Sequence, residues 1–596
     1  MQSKKLIIFL LAAMAAVTAI SCGSKVEPEG GAGNGSSEPE VPQPQPKPQL
    51  EGNIKGKVTD AVTGAPIAGV SVSDGYTVTS TDADGNYAIQ GNELTRTVFI
   101  SVPAEYEIPT DQDGHPAFYT NGQFNDPQKE YAVNFKLTPR AKASDKFLLC
   151  AAADVHIYDG TDKNYPKNRR SDLTQFKEDC LPDMISTMES LNGGGSYNDC
   201  LVLFAGDQMS DNMEQVVPFK NALANKTVNN GHKLIFLHCI GNHDFANRDL
   251  KDKEATSYNA SKTFVENFGP MDYSLNIGNA HIVVMNNMIV NSKDNWTRDR
   301  QIQCVGYDKG ITAEQLEWLR QDLACVKNQE MKVIILCAHV PMSNNGTNYN
   351  GTNYSEVVKL MGNFHEGHII SGHSHIVRNC VHKQTCKNGK GVYEHNIQSL
   401  AGDWWFSNLC SDGSPRGYKV LRFSGSKLLD SVNKAVGAST NYQMRVYNGN
   451  DSYSEKTAGG GTPAKGTTPN KKTYSWGDDY KNHILVRAWD ADENWTVSFV
   501  QNGVETPMTR LSSFVDQCSL AFGYNYQKNI YGASFDVASN NFWAIEAPGG
   551  DPATETDWKV VATYKAPSGM TKKYERNFLQ RDYTGFASGD KFPENN

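Results

Sequence analysis

The sequence predicts a multi-domain protein, with a central α/β domain flanked by an N-terminal β-sandwich and a C-terminal β-rich domain. Three observations predict it. The chain has 596 residues, more than one compact domain usually holds. Over 145–412, short apolar runs alternate with helix-like segments, the pattern of a sheet covered by crossover helices. On either side, 53–140 and 413–596 alternate β-branched or aromatic residues with polar ones, punctuated by Gly, Asp and Asn.

In chain order, residues 1–22 (MQSKKLIIFLLAAMAAVTAISC) read as an export signal: Lys4 and Lys5, an apolar run, then small residues ending at Cys22. The run is short of the roughly 20 residues that a membrane span needs, and no other stretch approaches it. The ending AISC resembles a bacterial lipobox. That resemblance implies a lipidated Cys22 and an exported lipoprotein anchored in a bacterial cell envelope, on its periplasmic or outer surface. Ordinary cleavage near this point is the alternative. Residues 23–52 are dominated by Gly, Ser, Pro and Glu and read as a tether.

Residues 53–140 read as β throughout. DADGN (82–86) predicts a hairpin turn; it lacks the distal Glu of a calcium-binding EF-hand loop. GKVTDAVTGAPIAGVSVSDG, followed by TDADGNYAI, resembles carboxypeptidase regulatory-like β-sandwich modules, which implies a spacer or docking role without chemistry.

The apolar runs of the central domain are FLLCAAA (147–153), CLVLFA (200–205), LIFLHCI (234–240), VIILCA (333–338) and HII (368–370). Helices are predicted around 172–191, 212–224 and 312–327. The last carries Ile311, Leu316, Trp318, Leu319 and Leu323 near helical spacing. Of the twelve cysteines, Cys150, Cys200, Cys239 and Cys337 lie in or beside these runs and read as buried thiols. No CxxC framework appears, though Cys380 and Cys386 are close enough for a small loop. After 413 the alternating segments RGYKVLRFSG, YQMRVYNG, HILVRAWDADENWTVSFVQNG and WKVVATYKA return, with 452–475 a Gly/Thr/Lys/Pro-rich linker. A net charge of −9 argues against a protein that coats nucleic acid.

Each apolar run of the central domain ends in groups that bind metals. The first gives Asp154 and His156, the second Asp207, the third Asn242, His243 and Asp244, the fourth His339, and the fifth His373 and His375. Residues two apart on an extended chain point to the same side, and ligands of α/β sheets collect at the carboxyl ends of strands. Imidazole and carboxylate donors suit Zn, Fe and Mn, and thiolates are absent from the set. Glycines before Asp207, Asn242 and His373 are expected to allow tight turns.

DxH, GD, GNHD, H and GHxH in this order resemble the calcineurin-like metallophosphoesterases over roughly 145–380. The resemblance implies a four-layer α/β/β/α sandwich holding two divalent metal ions. Asp154, His156, Asp207 and His375 would hold one ion. Asp207, Asn242, His339 and His373 would hold the other, with Asp207 bridging. It further implies a binuclear phosphoester hydrolase, phosphodiesterase or phosphomonoesterase, whose nucleophile is a metal-bridging hydroxide. His243 would bind the phosphate or protonate the leaving oxygen, and Asp244 would orient it; Asn242 would also touch substrate. Two departures narrow the branch. The third residue after Asp207 is Ser210, not the Tyr of purple acid phosphatases. The acid that many cyclic nucleotide phosphodiesterases place there comes one residue later, as Asp211.

Around the motifs, Lys163, Lys167, Arg169 and Arg170 either meet anionic substrate oxygens or form a solvated basic loop. The polar stretch 341–354 (PMSNNGTNYNGTNY) either lines the substrate pocket or is an insertion without a role. GDWWFSNLCSDGSPRGY (402–418) resembles the segment joining catalytic and C-terminal domains in secreted phosphoesterases of Bacteroidetes-type bacteria. Trp404 and Trp405 are expected to pack that junction rather than stack on substrate. The expected partner is a small phosphoester or a lipid- or glycan-linked phosphate, with membrane contact through the lipid anchor alone. A pyrophosphatase of nucleotide-sugar type is the rival within the enzyme class. A non-catalytic surface binding lipoprotein on the same fold is the rival outside it.

Overall fold

The structure, a computed structural model, describes residues 50–159, 170–193, 195–229, 231–245, 256–297, 303–453, 473–526, 535–552, 557–578 and 586. The expected signal, Cys22 and the tether up to residue 49, and Lys163, Lys167 and Arg169, lie outside them. No helix among the described residues is long and apolar enough to cross a membrane.

Two six-stranded sheets form the central domain. In the first, Lys146–Ala152, Asp199–Ala205 and His232–Cys239 run parallel as neighbours, in the register Val202 to Cys150 and to Phe236. In the second, Ala280–Val284, Val333–Cys337, Glu366–Ser371 and Gly391–Asn396 run parallel, edged by Tyr273–Ile277 and Arg378–Thr385. The near-continuous apolar runs are those of strands buried on both faces. Along Lys146–Ala152, Leu148, Cys150 and Ala152 share a core with Phe176, Met184 and Phe219 of the helices. Their neighbours Phe147, Leu149 and Ala151 share one with Ile282 and Ile335 of the second sheet. The second sheet in turn meets Leu316, Leu319 and Val357 of two further helices.

The predicted helices form with local adjustments. Ser171 caps the first by accepting from the Thr174 N–H. This helix then makes a π turn over Phe176–Cys180 before Leu181–Asn192, and ends at left-handed Gly193. The second is the short helix Val216–Leu223 behind a 3₁₀ turn. The third, Ala313–Cys325, starts with a reciprocal cap between Thr312 and Gln315.

A domain boundary at 412/413 does not match the sheet. Gly417–Ser424, assigned from sequence to the C-terminal domain, pairs antiparallel with Lys146–Ala152, and Lys427–Ala435 pairs beyond it. The hairpin therefore completes the first sheet. Its alternating pattern does not distinguish the edge of an existing sheet from the start of a new one.

The N-terminal part holds two four-stranded sheets. One is built on Ile54–Asp60 and the other on Ser71–Ser73 and Thr97–Ser101, around a core that includes Ile54, Val58, Val72 and Ile100. DADGN does form a turn, with the Asp82 carboxylate accepting the N–H groups of Asp84 and Asn86. Yet the flanking strands Val78–Ser80 and Asn86–Ile89 belong to different sheets, so it is a corner and not a hairpin. The Trp318 indole donates to Ser73 Oγ at 3.0 Å, docking this part on the third helix. The C-terminal part also has two four-stranded sheets, around Met444, Val446, Val497 and Val560. Cys380 and Cys386 are free thiols, and Cys150, Cys200, Cys239 and Cys337 are free and buried.

Candidate metal centre and active site

The strand ends converge. Asp154 and His156 follow Lys146–Ala152 and Asp207 follows Asp199–Ala205. Asn242, His243 and Asp244 form one 3₁₀ turn after His232–Cys239. His339 follows Val333–Cys337, and His373 and His375 follow Glu366–Ser371. Asp154, His156, Asp207, His373 and His375 all have φ between 50° and 67°, a region non-glycine residues seldom occupy and one that concentrates at functional sites. The strain is held by cross-loop hydrogen bonds. The Asp154 N–H donates to the Gly206 carbonyl at 3.0 Å and the His156 N–H to the Asp207 carbonyl at 2.9 Å.

Of the three glycines expected to turn the chain, Gly206 alone has positive φ, at 93°. The common requirement is space. A Cβ on Gly206 would meet His339 Nδ1 at 2.2 Å, one on Gly241 the Asp207 carboxylate at 2.2 Å, and one on Gly372 the Asp154 carboxylate at 2.6 Å.

Two donor clusters result, with a third group shared between them. Asp154, His156 and His375 form one cluster, Asp207, His339 and His373 the other, and His156, Asp207 and His243 the group between, each with its donor atoms within 4.8 Å of one another. His156 Nε2 lies 2.9 Å from His375 Nε2, which is 3.3 Å from Asp154 Oδ1. Asn242 Oδ1 lies 3.0 Å from His373 Nδ1 and 3.1 Å from His339 Nε2. Asp207 Oδ2 joins the clusters, 3.1 Å from His339 Nε2 and 3.8 Å from His156 Nε2. Donors about 2.1 Å from an ion at tetrahedral or octahedral angles sit roughly 3.0–3.4 Å apart, so the residues fit divalent cations. The His339 ring is oriented for this. Its Nδ1 lies 2.8 Å from the Ala205 carbonyl, to which it donates, turning the Nε2 lone pair toward Asn242 and Asp207.

The electrostatics favour positive charge here. Burial would push His339 down, but the Asp207 carboxylate outweighs it and holds the imidazole up at about 10. Burial likewise opposes the charged form of His375, and Asp154 beside it raises it. His373, buried and repelled by the His339 charge, is pushed down to about 3. The clusters are compatible with a binuclear metal site.

His243 stands beside the ligands with its side chain 12% exposed. Its orienting carboxylate is Asp211: His243 Nδ1 lies 2.9 Å from both Asp211 oxygens. This corrects the expected role of Asp244. That side chain is buried and accepts from the Met209 N–H at 2.7 Å, the Gly241 N–H at 2.8 Å and Gln208 Nε2 at 3.0 Å. It ties the Asp207 loop to the Asn242 turn. Burial, and then the Asp207 charge, push it up to about 8. Asp211 reaches His243 through its own positive φ of 61°, which residue spacing does not reveal.

Arg170 is committed to Asp179 and Glu178, at 2.9 and 3.3 Å, so its charge is balanced by the helix that follows it. Trp405 packs as expected, buried, with its indole donating to the Val155 carbonyl at 2.7 Å. Trp404 does not. Its ring lies 4.1 Å from that of His156, 5.3 Å from His243 and 5.6 Å from His375, so it walls the site. The available signal was its position just beyond the carboxyl end of Gly391–Asn396, the sheet edge that carries the motifs.

Three family profiles match the chain. One described as calcineurin-like phosphoesterase covers 147–377, and those described as the N terminal and C terminal of calcineurin-like phosphoesterase cover 52–140 and 394–563. Together these matches show that the chain belongs to the calcineurin-like phosphoesterases, with N- and C-terminal extension domains. No curated protein matches the sequence at a significant level. Among solved structures, a purple acid phosphatase from yellow lupin (Lupinus luteus) seeds shares 12% identity at a TM-score of 0.32, over 61% of this chain and 66% of that one. A Staphylococcus aureus protein named as a 5′-nucleotidase shares 13% at 0.26, over 49% and 53%. A phosphopantetheinyl hydrolase from Mycobacterium tuberculosis shares 14% at 0.24, over 43% and 89%.

Proposed function

We propose that the chain hydrolyses a phosphodiester or phosphomonoester with two divalent ions of the Mn, Fe or Zn type. Asp154, His156, Asp207 and His375 would hold one, and Asp207, Asn242, His339 and His373 the other. The observation that carries this reading is the Asp207 carboxylate, placed between two His/Asp clusters with ligand-like spacing. Two such ions, when bound, polarise a phosphoryl oxygen and lower the pKa of a water between them. The protein's own groups do the rest. His243, fixed through Nδ1 by Asp211, carries the proton to the leaving oxygen through Nε2. Trp404 excludes water from the His156 side. The α/β/β/α layering is part of the proposal, supported by the two different cores that alternate residues of Lys146–Ala152 enter. So is anchoring through Cys22, supported by the AISC ending and testable by the mass of the mature N-terminal residue.

The test is hydrolysis of matched chromogenic mono- and diesters by Mn-loaded protein, with Asp207→Ala as control. Turnover that disappears in the variant is expected, and the diester-to-monoester ratio assigns the branch. No turnover together with no bound metal would overturn the reading.

A further inference from the structure

A cleft of about 610 Å³ lies between the central and C-terminal domains. Its lining lies within short chain reach of the site donors: Ile376 and Val377, which follow His375 directly, line it, and Arg378 opens the next strand. The three residues from His375 to Arg378 can span at most about 10 Å, the reach of a group esterified to a phosphorus held at the metals. The walls are fixed by polar ties between domains: Tyr393 Oη donates to Asp492 at 2.6 Å, and Asn379 Nδ2 to Asp490 at 2.9 Å. The Val377 N–H donates to Asp412 at 3.3 Å, and Asp412 pairs with Arg487 at 2.8 Å.

Two charged side chains there, Arg378 and Glu493, form no ion pair among the described residues. Arg378 is half-buried and donates to Asn344 at 2.6 Å, but it has no carboxylate within ion-pair distance among the described residues. Glu493, from the C-terminal domain, is exposed and likewise makes no ion pair among them. Amide groups of Asn344 and Asn540 complete the lining.

We propose that this cleft is the subsite for the organic group of the ester, and that it takes a polyhydroxylated group, glycosyl or polyol. The proposal rests on the phosphoesterase reading. Guanidinium, carboxylate and amide groups match hydroxyls, which donate and accept at once. An acyl chain would need an apolar wall. A nucleobase would need stacking faces, and Tyr393 is the lone aromatic ring among the lining residues.

The experiment compares two diesters on the full chain loaded with Mn, both with p-nitrophenyl as leaving group. The second ester is methyl in one and glucos-6-yl in the other. A kcat/KM preference of at least tenfold for the glucosyl diester is expected. Arg378→Ala and Glu493→Gln, each with metal content measured, should cut that preference at least fivefold through KM. No preference in the wild type, or one unaltered in both variants, overturns the proposal. If neither diester turns over, the phosphodiesterase branch of that reading fails on its own. Saturation-transfer NMR with glucose 6-phosphate then decides: binding lost in Arg378→Ala sustains the cleft, and absence of binding overturns it.

Discussion

His243 and Asp211 act as a unit, while Asp244 serves the loop beneath them, and the two carboxylates should fail differently. Asp211→Asn should lower kcat by about 10²-fold on an ester with a poor leaving group, where proton transfer matters most. Its effect should be far smaller on p-nitrophenyl esters, and its metal content should be unchanged. Asp244→Ala leaves two buried backbone donors, the Met209 and Gly241 N–H groups, without an acceptor, which costs about 1–3 kcal/mol for each such group. A lower melting temperature and weaker metal retention should follow, measurable by calorimetry and elemental analysis. Gly206→Ala tests the crowding of the centre. A Cβ 2.2 Å from His339 Nδ1, at a φ of 93°, displaces a metal ligand, so the variant should purify with one ion or none.

The elements explain what could be read in advance. The clustered donors were legible because each sits at the end of a contiguous apolar run, and a run and its last polar residues are local properties of the chain. Asp211 and Trp404 were not, because their roles depend on backbone turns with positive φ and on rings approaching from another strand. The hairpin Gly417–Ser424 and Lys427–Ala435 was misassigned because alternation specifies a strand but not its sheet. It also carries a charged anchor. Asp430 is fully buried and bonds Arg422 in the same hairpin and Lys572 of the C-terminal sheet, the latter at 2.6 Å. Burial would raise this carboxyl, but the two cations hold it below its ordinary 3.8. Its stabilisation is therefore present above about pH 4 and lost as the pH falls through the lowered native value. Asp430→Asn, which strands two cations, should cost about 3 kcal/mol at pH 7. The deficit should vanish in strong acid, as read by urea unfolding at both pH values.

At the scale of the molecule, the central domain cannot stand without the chain that follows it. A chain ending at 412 would expose an edge of Lys146–Ala152 and lose the core residues Tyr418, Val420, Leu421 and Phe423. It should be insoluble or lack native circular dichroism, and a chain ending at 435 should recover part of its sheet. Metal should report on the same whole. Mn at a hundred times its Kd should add about 2.7 kcal/mol to stability, raising the melting temperature, and the gain should be absent in Asp207→Ala.

The pairing of Val420 with Cys150 joins residues 270 positions apart. A ribosome adding roughly 5–20 residues per second needs roughly 15–55 s to make that interval. Through all of it, the strand that leads to Asp154 and His156 lacks one of its two neighbours. The donors of the first cluster reach their final places only after the hairpin has emerged. An ion held by all three of them therefore reports that the first sheet has been completed.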